Sequence, residues 1–226
     1  MKYLNFFIYF FYLQYVGITL LFKLLTNSRG GDVLSRMMQN FFNLKYRMKI
    51  NSHKISKKKC MFLVNHNGWA DFFVDATLTN GASYISRYGV CFILLFMGLW
   101  SFISKYVTYF NRSGNTFKVL EEKIIKIMDD TYNKQIIIYP EGTRNPEKKK
   151  MKLKSGCIRI AYNNKIPCQI MIVSDKEKIV SEKEWLIQKN LEPIISASKI
   201  IHPKNYKSFE DFFNKIKYEW NKNWNN

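Results

Sequence analysis

Asn65-His66-Asn67-Gly68-Trp69-Ala70-Asp71 places an imidazole and a carboxylate five residues apart. On an ideal helix that spacing separates two side chains by about 140° around the axis. A hydrogen bond between them therefore needs a non-helical turn, for which Gly68 supplies the backbone freedom. In such a turn the carboxylate would fix one imidazole tautomer and stabilise the imidazolium, so that His66 could take a proton from a hydroxyl. The competing reading is a plain strand–helix turn with Asp71 as the helix cap. A second cluster, Tyr139-Pro140-Glu141-Gly142-Thr143-Arg144, has the parts of an anion-binding loop. Pro140 ends a strand because it lacks an N–H, and Gly142 lets the backbone approach an anion. Thr143 offers a hydroxyl and Arg144 a planar fork suited to phosphate. A surface turn with a Glu–Arg ion pair would use the same residues. In a third loop, Asn111-Arg112-Ser113-Gly114, Arg112 reads as a second phosphate-binding arginine or as a solvated turn residue.

These loops need elements to carry them. Cys60-Met61-Phe62-Leu63-Val64 is an apolar run of strand length directly before Asn65, and Gln135-Ile136-Ile137-Ile138-Tyr139 is another directly before Pro140. Ser83 to Ser86, Tyr106 to Phe110 and Gln169 to Val173 are further strand candidates. Between them, Phe117, Leu120, Ile124, Ile127 and Met128 fall on one helix face, and Lys154 to Tyr162 is also helical in pattern. Strands alternating with helices predict an α/β fold, a mainly parallel sheet covered by helices. Loops at the carboxyl ends of parallel strands are where such sheets bind ligands, so the first two loops are expected to share a crevice. Lys165-Ile166-Pro167 introduces the strand ending at Val173, which would line an apolar slot. Near the end of the chain, Ser208 and Asp211 mark a helix start, and Phe209, Phe212, Phe213, Ile216 and Trp220 give that helix an apolar face.

The composition speaks to partners. The chain has 226 residues, with 36 Lys+Arg against 17 Asp+Glu for a net charge of +19. Such a balance implies an anionic partner, nucleic acid or a membrane surface. Tyr3 to Leu25 is an apolar, aromatic-rich run broken only by Asn5, Gln14, Thr19 and Lys23, and about 20 helical residues suffice to cross a bilayer. It reads as an uncleaved membrane anchor, with a buried core helix as the alternative. A second helix, with Val33, Leu34, Met37, Met38, Phe41 and Phe42 at helical spacing, would lie on the bilayer or pack on the domain. Val90 to Ile103 is nearly all apolar but short for a span, and is expected to pack in the domain while partly facing lipid. The expected division is residues 1–45 as membrane-anchoring helices and 46–226 as the catalytic domain with its C-terminal amphipathic helix. Four dispersed cysteines (Cys60, Cys91, Cys157, Cys168) and three scattered histidines offer no metal-ligand spacing and no disulfide framework.

The order of these motifs resembles the glycerolipid acyltransferase family, the lysophosphatidic acid acyltransferases. That family carries N-H-x-x-x-x-D, then an aromatic-rich segment ending in Arg, then a P-E-G-T-R block, then a Pro-containing strand. Asn65-His66 and Asp71 match the first block, Phe110 and Arg112 the second, Glu141 to Arg144 the third and Pro167 the fourth. The resemblance, spanning roughly Lys59 to Val173, implies transfer of a fatty acyl group from a thioester to a lysophospholipid hydroxyl. His66 would be the general base and Asp71 its orienting partner. Arg112, Glu141, Gly142, Thr143 and Arg144 would hold the acceptor's glycerol phosphate. It implies no covalent acyl-enzyme, no metal and no bound cofactor, with acyl-CoA or acyl-carrier-protein thioester as co-substrate. Its partners would be membrane lipids, the lysophospholipid acceptor and the thioester donor, met at a reducing, cytoplasmic-type membrane face. Lysophosphatidic acid is the leading acceptor; glycerol 3-phosphate and other lysophospholipids remain open. Two departures touch the acceptor side: Lys105-Tyr106 stands where a small residue is usual, and Arg87 where a Lys is usual. Lys148, Lys149, Lys150, Lys152 and Lys154 would attract phosphorylated headgroups or coenzyme A phosphates. A lipid-binding relative without turnover and a membrane-tethered nucleic-acid-binding protein are the rival readings; the latter explains the charge but not the order of His66, Asp71, Glu141 and Arg144.

Overall fold

The computed structural model describes residues 2–26, 30–68, 71–79, 81–88, 95–110, 116–129, 134–149, 151–181 and 184–225. Strand β2 (Cys60–Val64) is buried throughout and lies at the centre of the sheet. Its side chains alternate, as a pleated strand requires. Cys60, Phe62 and Val64 enter one core, whereas Met61 and Leu63 enter the other. Its neighbours alternate in the same way: Ile137 faces the first core and Ile136 and Ile138 the second, and Met171 and Val173 face the first while Cys168 and Ile170 face the second. A strand buried on both faces needs no polar alternation, which is why these segments read as unbroken apolar runs.

Around β2 the sheet has seven strands in the order β1-β9-β6-β2-β5-β3-β4. They are β1 (Arg47–Met48), β3 (Ser83–Arg87), β4 (Val107–Phe110), β5 (Gln135–Ile138), β6 (Cys168–Val173) and β9 (Ile194–Ala197). All pairings are parallel except β6 with β9, so the sheet is mainly parallel, as expected. Strands β7 (Val180–Ser181) and β8 (Leu186–Ile187) form a separate small hairpin. From β2 the chain moves through α3 (Asp71–Thr79) to β3, and through α4 (Leu95–Ile103) to β4, on the first face. It returns through α5 (Thr116–Met128) to β5 and through α6 (Gly156–Asn163) to β6 on the second face. Helices on one face for one direction and on the other for the return are what right-handed crossovers produce. The adjacent ends of β2 and β5 thus send their chains in opposite directions, the position at which open α/β sheets bind ligands.

Two N-terminal helices, α1 (Lys2–Leu24) and α2 (Gly31–Phe42), complete the first face. Helix α2 buries Leu34, Met38 and Phe42 and packs on α3. Among the described residues, α1 is the one helix long and apolar enough to cross a membrane. One stripe of it, Tyr9, Leu13, Val16 and Leu20, is fully buried. At Gly17 the backbone of α4 comes so close that a Cβ would lie 2.5 Å from Met97 N. The opposite stripe exposes Leu4, Phe7, Ile8, Phe11 and Phe22. Of the apolar run Val90 to Ile103, Leu95–Ile103 forms α4, with Leu95, Leu99, Phe102 and Ile103 exposed; residues 90–94 lie outside the described part. On the second face, α8 (Phe209–Asn225) buries Phe212, Ile216 and Trp220. The Ser208 hydroxyl accepts the Asp211 N–H at 3.1 Å, capping that helix where the sequence predicts.

Candidate active site

The loop after β2 is fastened from both sides before it reaches the imidazole. The Asn65 side chain extends the sheet pairing: its Nδ2 donates to Val173 O at 2.9 Å and its Oδ1 accepts Val173 N–H at 2.8 Å. The backbone of His66 is bound to the loop after β5. Its N–H donates to Glu141 Oε1 at 2.8 Å, and its carbonyl accepts Asn145 N–H at 2.6 Å. With its backbone held, the His66 ring stacks on Tyr139 (centroids 4.2 Å apart, planes 15° apart) and sets Nδ1 at 3.0 Å from Asp71 Oδ2. The turn that permits this runs through Gly68, whose carbonyl accepts Asp71 N–H at 3.4 Å. Asp71 Oδ2 also accepts Asn67 N–H at 2.5 Å. The two readings of Asp71 thus coincide: it opens α3 and it faces the imidazole.

Charge decides the tautomer. Asp71 is 2% exposed, and burial works to raise its carboxyl. The Lys176 ammonium, 3.4 Å away, and the His66 hydrogen bond overcome that and hold it below the usual carboxylate value. An ionised carboxylate only accepts hydrogen bonds, so Nδ1 must be the donor and Nε2 carries the lone pair. The His66 side chain is 21% exposed, so the ring has an outward edge on which a base can work.

Glu141, which the resemblance places on the acceptor, is 1% exposed. Its Oε1 accepts His66 N–H and its Oε2 accepts Asn145 Nδ2–H at 2.7 Å. Burial raises its carboxyl, against the lowering effect of those hydrogen bonds. It therefore ties the two loops together. Gly142 sits at φ 74°, in the left-handed region that glycine adopts at no steric cost. Thr143 and Arg144 follow on the exposed side of the same loop. Arg112 lies outside the described residues, as do Cys91 and Lys150. Within the basic tract, Lys148 pairs with Glu177 at 2.5 Å and Lys149 with Glu147 at 2.5 Å, whereas Lys152 and Lys154 are exposed. Tyr106 is buried, its ring 4.9 Å from that of Trp100, so this departure points into the core. Cys60, Cys157 and Cys168 are free thiols, and burial pushes the first two up to about 12. Among the described residues no group of His, Cys, Asp or Glu is arranged to hold a metal.

Sequence reasoning missed the groups behind the imidazole. Lys176, at the start of α7 (Lys176–Ile179), and Asp75 on α3 are both fully buried and paired at 2.8 Å. Asn145, whose side chain bridges Glu141 and Lys149 O at 2.7 Å, was equally unmarked. The available hint was Asp71 and Asp75 one turn apart on α3, since two carboxylates on a buried helix face demand a cation.

The acyltransferase family model matches residues 45–174, more than half of the chain. That span contains β2, β5 and β6 and the loops that follow the first two. No curated protein matches the sequence. Among solved structures, the chain is similar to the crystal structure of the 1-acyl-sn-glycerophosphate (LPA) acyltransferase PlsC from Thermotoga maritima. The TM-score is 0.70 at 13% identity, over 98% of this chain and 97% of that one, a likeness of fold from end to end. With the family match laid over the segment that holds His66, Asp71 and Glu141, the chain belongs to the acyltransferase family.

Proposed function

We propose that this acyltransferase moves a fatty acyl group from an acyl thioester, of coenzyme A or acyl-carrier protein, to the free hydroxyl of lysophosphatidic acid, giving phosphatidic acid. The observation that carries the reading is the buried Asp71 carboxylate 3.0 Å from His66 Nδ1, which leaves Nε2 as the base. As the acceptor oxygen attacks the thioester carbonyl carbon, its proton passes to Nε2 and the imidazolium is balanced by Asp71. The C–S bond then breaks, and the departing sulfur takes the proton from the imidazolium, so the products are ester and thiol. Arg144, with Thr143, Gly142 and Arg112, holds the acceptor's phosphate by charge-assisted hydrogen bonds. Glu141 supports that site by fixing the loop to the backbone of His66.

The substrate arrives from lipid. Helix α1 touches the rest of the protein along its whole length: Phe6 against Trp185, Tyr12 against Phe41, Gly17 against Phe96 and Met97, and Leu20 against Gly30. A helix so attached lies in the membrane surface beside α4, with the exposed apolar residues of both in the acyl region. In this reading residues 1–45 anchor the protein, residues 46–226 carry the chemistry, and the free thiols suit a reducing, cytoplasmic-type face.

Purified protein on anionic vesicles tests the proposal. It is to be supplied with acyl-CoA or acyl-carrier-protein thioester and, in separate reactions, lysophosphatidic acid, glycerol 3-phosphate or a lysophospholipid with a larger headgroup. Phosphatidic acid formed from lysophosphatidic acid, with one free thiol per ester, is expected. Thioester consumption with glycerol 3-phosphate alone would overturn the acceptor, and none with any acceptor would overturn the reaction.

A further inference from the structure

Behind the His66–Asp71 pair lies a buried cation that the reaction as written does not use. Lys176 has a fully buried side chain. Its Nζ lies 2.6 Å from Asn65 O, 3.1 and 2.8 Å from the two oxygens of Asp75, and 3.4 Å from Asp71 Oδ2. The Tyr139 hydroxyl donates to Asp75 Oδ2 at 2.9 Å, while the Tyr139 ring carries His66. A lone buried ammonium or carboxylate is costly, so a fully desolvated trio persists only because its charges compensate one another.

We infer that Lys176 and Asp75 are positioning residues that balance the charge around the His66–Asp71 pair and keep Asp71 available to the imidazole. This rests on the general-base reading above. Two carboxylates and one ammonium leave the cluster at −1 before proton transfer and neutral once His66 is an imidazolium. The other titratable groups facing it are Tyr46, Tyr84, Tyr139 and Glu141. Burial, reinforced by the Asp71 charge, raises the Asp75 carboxyl, and the Lys176 ammonium 2.8 Å away works against it. Lys176 is raised by the two carboxylates against its burial and stays charged.

The test is the pH profile of kcat for Lys176→Met, Asp75→Asn and the double variant. Without the ammonium the two carboxylates stand at −2 and hold a proton on the cluster or on His66 more tightly, so the acid limb should move up in pH. An opposite charge at this distance is worth about 1–3 pH units, so kcat below the limb falls by about 10–10³-fold. The double variant removes one charge of each sign, restores −1 and should return the limb toward its wild-type position. Asp75→Asn alone leaves the cluster neutral before transfer and should move the limb the opposite way. An unshifted profile in folded Lys176→Met, or a double variant no better than the single, overturns the inference. Should Lys176→Met not fold, the near-isosteric Asp75→Asn decides by the direction of its shift; an upward shift, or none, overturns it. His66→Ala, run alongside, separates the two levels. If it is inactive while these profiles stay unshifted, only the inference falls; if it keeps full turnover, the general-base reading falls too.

Discussion

The two faces of the sheet are covered by helices of different kinds. On the second face, α5 and α8 bury a stripe and turn charge outward, with Lys118, Glu122 and Lys126 exposed on one, Glu210 and Lys222 on the other, and a Lys215–Glu219 pair at 2.7 Å. On the first face, α1 and α4 bury a stripe and expose a second apolar one, including Phe7, Phe11, Leu99 and Phe102. A water-facing helix needs the first arrangement, and under the proposed function the second is what a membrane surface covers. Asp71 and Asp75 belong to α3, which packs on the same face as α1 and α4. Under the proposed function, chemistry and lipid access therefore share one side of the sheet, and the other side is its support.

That contrast can be broken one face at a time. Replacing both Phe7 and Phe11 by Asp removes about 3–6 kcal/mol of apolar transfer. In vesicle flotation, binding should fall by at least about 10²-fold, whereas Tyr218→Asp on the exposed side of α8 should leave it unchanged; equal losses would erase the distinction between faces. Trp220→Ala strikes the supporting face. It should cost about 3–5 kcal/mol in thermal unfolding and leave kcat per folded molecule as it was, so a matching loss of kcat would make α8 part of the site. Arg144→Ala should raise KM for the phosphorylated acceptor by about 10–10²-fold, the worth of a charged hydrogen bond. KM for the thioester should move little; the reverse pattern would reassign this loop to the donor. The smallest effect is expected at Gly142→Ala, where the left-handed backbone costs about 1–2 kcal/mol for any residue with a Cβ. A chemical melt with no change there would mean that the loop relaxes.

The legible parts of the molecule were those encoded locally. The five-residue interval from His66 to Asp71, with Gly68 inside it, announced the turn that joins them, and the isoleucines of β5 announced a strand buried on both faces. What escaped depends on contacts across the chain. Lys176 meets Asp75 across 101 positions, and nothing in Ser174-Asp175-Lys176-Glu177-Lys178 distinguishes the buried lysine from its exposed neighbour. Strand β1 is two residues long, too short for any periodicity, and exists because β9 offers it a parallel edge. Glu141 stands in the expected loop, but its two partners, His66 N–H and Asn145 Nδ2, only become visible when β2 and β5 lie side by side.

One measurement bears most directly on the account: kcat for thioester-dependent acylation of vesicle-borne lysophosphatidic acid by wild-type and folded His66→Ala protein. With His66 Nδ1 held by Asp71 and Nε2 taking the acceptor's proton, kcat should fall by about 10²–10⁴-fold with little change in KM for either substrate. A His66→Ala protein that folds and turns over at the wild-type rate would contradict it.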